Sequence, residues 1–103
     1  MTAPPPALEE LRARLDEIDV RLLELLRDRI ACCAEIARVK ADHDVPMMQP
    51  HRIGLVRQRA AAFGALHGID VGFLHSLYDL VIAETCRVED AVIAERSRPC
   101  APC

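Results

Sequence analysis

A chain of 103 residues, 51% apolar and with a formal charge of −3, is one domain's worth of polypeptide with room for a single core. Its aromatics are Phe63, Phe73 and Tyr78 alone, so that core must be built from Leu, Ile, Val and Ala, the material of a helix bundle. The arginines are scattered among acids with no basic block, which argues against nucleic acid; no apolar run approaches the ~20 residues of a membrane span and no secretory signal opens the chain, so a cytoplasmic protein is expected.

Residues 1–7 (MTAPPPA) are Pro-rich and aperiodic and read as a disordered leader. From Leu8 the pattern changes: Leu8, Leu11, Leu15, Ile18, Leu22 and Leu25 recur at alternating steps of three and four, the seam of a packed helix. The stripe continues through Arg29, Cys32 or Cys33, Ile36 and Lys40. No Gly or Pro interrupts residues 8–42, so one helix of about 35 residues, roughly 50 Å long, is predicted. The remaining residues are too few to cover such a rod, whereas a second copy of the chain can.

Asp42-His43-Asp44-Val45-Pro46 breaks this helix. Gln49-Pro50-His51 carries a start signal for a second, from about Pro50 to Leu66, with Ile53, Val56, Ala60 and Phe63 inward and His67-Gly68 as its stop. Asp70 is an N-cap candidate for a third, from Val71 to about Arg96, in which Phe73, Leu74, Leu77, Leu80, Val81, Val88 and Val92 keep helical spacing. Pro99 closes the ordered part. The expected architecture is all-α, with a long, a short and a long helix over residues 8–96 and a flexible tail at 97–103. Of the five cysteines, Cys32 and Cys33 are adjacent, Cys86 stands alone, and Cys100 and Cys103 sit in the tail. No zinc-ligand spacing results, and reduced thiols are expected, the first three as small residues near a core.

A charge on an apolar stripe is informative, because a buried charge needs a partner. Arg29 and Lys40 are two such charges, three helical turns apart and on one face. On the third helix Thr85 and Glu89, one turn apart, form a polar pair. Each has a plainer reading: a salt bridge with its stem along the seam for Arg29, a helix-end cation for Lys40, a solvated surface position for Arg12, and an arginine of its own helix, such as Arg96, for Glu89. Together they suggest a pocket for a small dianion, since guanidinium groups grip carboxylates bidentately. No Ser-His-Asp order, phosphate cradle, metal-ligand cluster or nucleotide fingerprint is present in the sequence, so chemistry without a nucleophile, metal or cofactor is expected.

The segments LEELRARLDEIDVRLLELLRDRI, AEIARVK and FLHSLYDLVIAETCRVED resemble the all-helical chorismate mutase family over residues 8 to about 93. The resemblance implies an intertwined homodimer with two identical sites. It implies that Arg29 binds one substrate carboxylate within its own subunit and Arg12 the other from the partner subunit. Lys40 and Glu89 would flank the ether oxygen, Thr85 would help hold a carboxylate, and Arg52 would lie near the mouth. The reaction is a [3,3]-sigmatropic rearrangement, in which the enzyme holds the substrate in its compact diaxial form and stabilises charge on the ether oxygen as the C–O bond stretches. A carboxylate at Glu89 would repel that oxygen, so the role calls for the protonated acid.

Typical members place acids at the positions of Gln49 and Ile53, where the ring 4-hydroxyl is held; here neither is acidic. The Gln49 amide can donate to or accept from either an amino or a hydroxyl group. VPMMQP and LYDLVIAETCRVED look most like the 4-amino-4-deoxychorismate mutases of antibiotic pathways, which implies 4-amino-4-deoxychorismate as substrate. Chorismate mutase, isochorismate pyruvate lyase and a non-catalytic helical dimer regulating a partner enzyme are the alternatives.

Overall fold

The computed structural model describes residues 3–46 and 49–96. Met47 and Met48, the first two residues of the expected leader and the expected tail at 97–103, with Cys100 and Cys103, lie outside the described residues. Three helices make up the fold: α1 (Pro6–Asp42), α2 (Pro50–His67) and α3 (Val71–Arg96). It is all-α, with no strand among the described residues.

Local chemistry explains each boundary. α1 begins two residues ahead of the expected Leu8, because proline is at home in a first turn where no N–H partner is needed; the Pro5 carbonyl accepts the N–H groups of Leu8 and Glu9 at 2.9 and 3.3 Å. Its far end closes through Asp44 in the left-handed region, φ 55°, which lets the Val45 N–H reach back to the Lys40 carbonyl at 2.9 Å. Gln49 takes the N-cap position of α2 with Pro50 behind it, and its side chain makes no capping bond. Gly68, φ 70°, ends α2 with its N–H on the Gly64 carbonyl. Asp70 caps α3 as expected, its Oδ2 accepting the Phe73 N–H at 2.8 Å.

The chain divides into two compact units, Met1–Cys32 and Cys33–Cys103. In the first, the seam is open: Leu8, Leu11, Leu15, Ile18, Leu22 and Leu25 are 38–65% exposed. In the second, a short connection turns α3 back against α2, and Ala60, Gly64 and Leu74 are buried between them. Gly64 permits this approach, since a Cβ there would lie 2.7 Å from the Ile69 carbonyl oxygen and 2.8 Å from Leu74 Cδ1. Arg57 Nε and Asp79 Oδ1 add a link between the same helices at 3.4 Å.

One expectation about the core needs correction. Phe63, expected inward, is 54% exposed and stacks on His67 with ring centroids 4.2 Å apart, and Gly64 takes the close contact instead. Phe73, Leu77 and Leu80 keep helical spacing yet remain exposed. Two packed helices bury only one narrow stripe of each, so apolar residues off that stripe stay uncovered.

Candidate active site

Lys40 stands in the last turn of α1, its backbone carbonyl held by the turn at Asp44 and Val45. Its Nζ donates to Glu89 Oε1 at 3.1 Å, and the two side chains are 14% and 10% exposed. Of the plainer sequence readings, the helix-end position of Lys40 is correct but incomplete: its ammonium also reaches a carboxylate 49 residues on. One turn before Glu89, Thr85 is 4% exposed, and its hydroxyl donates to the Ile82 carbonyl at 3.0 Å. Among the described residues, Thr85 and Glu89 are the buried polar side chains. A buried ion pair contributes little net stability compared with well-packed apolar residues, so its presence in so small a core points to chemistry.

Among the described residues two thiols lie in this second unit, and sequence spacing read them only as small packing residues. Cys33 and Cys86 are both half-buried. Burial pushes the Cys86 thiol up, the charges of Glu89 and Asp90 push it further, and Lys40 opposes them. Cys86 thus senses both members of the ion pair. Nothing in the sequence pattern marked it as more than a neighbour of Thr85, and nothing marked the Arg57–Asp79 link.

Gln49 and Arg52 are exposed at the start of α2; the Gln49 carbonyl accepts the Arg52 N–H at 2.9 Å, and the Gln49 amide takes no part in capping. Ile53, one residue on, is half-buried. Arg12 and Arg29 belong to the first unit. Arg12 is exposed, 3.9 Å from Glu9 one turn away, and Arg29 is half-buried. The structure therefore brings Lys40, Glu89 and Thr85 into one unit, and leaves Arg12 facing solvent in the chain by itself. Among the described residues no group of three or more His, Cys, Asp or Glu is placed to hold a metal ion, and no helix is long and apolar enough to cross a membrane.

The family model for chorismate mutase type II matches residues 11–90, a span that includes every candidate residue from Arg12 to Glu89. The chain belongs to this family. As a chorismate mutase type II protein it is an isomerase. It is 52% identical over 92 residues to the 4-amino-4-deoxychorismate mutase of Streptomyces pristinaespiralis, covering 89% of this chain and 71% of that one. Identity is again 52%, over 90 residues and 87% of each chain, with the 4-amino-4-deoxychorismate mutase of Streptomyces venezuelae. With the chorismate mutase of Methanocaldococcus jannaschii it falls to 23% over 88 residues, 85% of this chain and 89% of that one.

Proposed function

We propose that the chain catalyses the rearrangement of 4-amino-4-deoxychorismate to 4-amino-4-deoxyprephenate, working as a homodimer in antibiotic biosynthesis. The observation that carries the substrate is the contrast in identity: 52% to two 4-amino-4-deoxychorismate mutases and 23% to a chorismate mutase, all over nearly the whole domain. The open leucine seam of the first unit supports the dimer, because six large apolar side chains left in water favour association with a matching surface.

The reaction is unimolecular: a C–O bond breaks as a C–C bond forms, and no proton moves between substrate and enzyme along the way. Catalysis then consists of grip and charge. Arg29 binds one carboxylate and Arg12 of a second subunit the other, holding the compact conformer in which the two ends meet. Lys40 stands at the ether oxygen as a fixed cation and opposes the negative charge that builds there in the transition state. Glu89, protonated, donates to the same oxygen, Thr85 supports a carboxylate, Gln49 lies toward the 4-substituent, and Arg52 lies near the mouth. The near-absence of water around Lys40 and Glu89 strengthens both contacts.

The test offers the purified protein 4-amino-4-deoxychorismate, chorismate and isochorismate in separate reactions, with products identified and kcat/KM compared. Conversion of the amino substrate at the highest kcat/KM is the expected outcome. Conversion of chorismate alone would overturn the assignment, and release of pyruvate from isochorismate would point to a lyase.

A further inference from the structure

No Asp or Glu occurs between Asp44 and Asp70, so α2 has no acid along its length, while Arg52, Arg57 and Arg59 make it cationic in a chain whose formal charge is −3. At its start the Gln49 side chain is exposed and makes no capping bond. Ile53, one turn on, is half-buried, and His51 and Arg52 between them are exposed. Arg57 is already joined to Asp79 of α3. After the last turn of α1, Asp42, His43 and Asp44 are exposed, as is Asp90 on α3, and water screens them. Glu89 is held by Lys40 at 3.1 Å, and the functional reading above has it protonated. Neither form of Glu89 leaves a free carboxylate for a cation at the Gln49 end of the site.

We propose that the site takes its substrate as the free 4-amine and turns away the ammonium form. The inference rests on the functional reading, in which Gln49 lies toward the 4-substituent and Arg12, Arg29 and Lys40 hold the rest of the molecule. An ammonium there would leave water to lie among cations with no acid to receive it, and burial of that kind disfavours the charged form. The free amine fits instead: its N–H donates to the Gln49 amide oxygen, and its lone pair accepts from the amide N–H. The proton balance is simple. Before binding, one proton passes from the ammonium nitrogen to the buffer, and no other bond changes. That amine stands beside an ether-bearing carbon and a double bond, both of which withdraw electrons, so it titrates below a lysine ammonium, at about 10.4.

Only the free-amine fraction of the substrate is then competent, and the apparent affinity scales with that fraction. Below the amine's own pKa, kcat/KM drops about tenfold for each unit of falling pH, and the loss falls on KM rather than kcat. The test measures kcat/KM for 4-amino-4-deoxychorismate on the full chain from about pH 6 to about 9, with the amine's pKa taken from proton NMR of the free substrate. Dividing by the same quantity for chorismate, whose hydroxyl does not titrate in this range, cancels the titrations of the enzyme. If chorismate is bound but not converted, its competitive inhibition constant serves as the divisor. The expected quotient falls about tenfold per unit below the amine's pKa in the unaltered protein. In Gln49→Glu, which supplies the missing carboxylate, it stays nearly level. A level or rising quotient in the unaltered protein as the amine takes up its proton overturns the proposal and leaves the functional reading standing. Turnover of neither substrate overturns the functional reading, and the proposal with it. The quotient for the unaltered protein decides the matter even if the variant fails to fold.

Discussion

Cys86 illustrates how far one residue's chemistry is set by groups a turn away. Its thiol is held above the ordinary range, first by burial and then by the negative charges of Glu89 and Asp90. The thiolate is the form that reacts, so Cys86 should be alkylated by iodoacetamide at pH 8 at least ~10-fold more slowly in the native protein than in the urea-unfolded chain, measured by mass spectrometry of the peptide that contains it. Equal rates would mean that the thiol is open to solvent and the electrostatic picture is wrong. The sign for stability follows: the folded chain keeps this proton more tightly than the unfolded chain, so stability is lost as pH climbs above the ordinary thiol range. At this scale the sequence was legible for identity and silent on partnership. Lys40 and Glu89 stand out as charges on apolar stripes, but their 3.1 Å bond joins residues 49 apart, which no local pattern encodes.

At the scale of elements, α2 and α3 set two principles against each other at Gly64. Helix propensity alone says that Gly64→Ala should stabilise the helix by roughly 0.5–1 kcal/mol. Packing says the opposite, because the new methyl group would sit 2.7 Å from a backbone carbonyl oxygen that cannot move cheaply. The expected outcome is destabilisation by about 1–3 kcal/mol, read from the urea midpoint. A gain in stability would show that the two helices yield at that contact. The helix ends needed no such contest: Asp70 and Pro50 do at their positions what their side chains favour anywhere, Gly68 takes the left-handed turn that its lack of a Cβ permits, and the boundaries of α2 and α3 fall within a residue or so of expectation.

For the molecule as a whole, the decisive fact is the open seam in the first unit. Leu11, Leu15, Ile18, Leu22 and Leu25 each remain more than half exposed, and burying such a side chain contributes about 1.5–3 kcal/mol. The chain should therefore run as a dimer in light scattering coupled to size-exclusion chromatography. Replacing Leu15 and Ile18 together with glutamate should weaken association by at least ~100-fold, since two desolvated acids replace two buried apolar groups. If catalysis needs Arg12 from a second subunit, activity should fall in step with the dimer fraction; a fully active monomer would rule that arrangement out.

What the sequence determined by itself was everything that depends on near neighbours: three helices, their caps and stops, an apolar stripe at helical spacing, the charges that interrupt it, and motifs specific enough to show the family. Those features arise within one or two turns of chain, where three- and four-residue spacing fixes what meets what. What only the tertiary structure decided was which distant groups meet. Lys40 takes Glu89 as its partner, Gly64 takes the close approach that Phe63 was expected to share, and Phe73, Leu77 and Leu80 stay uncovered by their own chain. Helical periodicity says which residues share a face; the packing of one helix against another chooses the stripe that is buried, and that choice is a property of all the contacts at once.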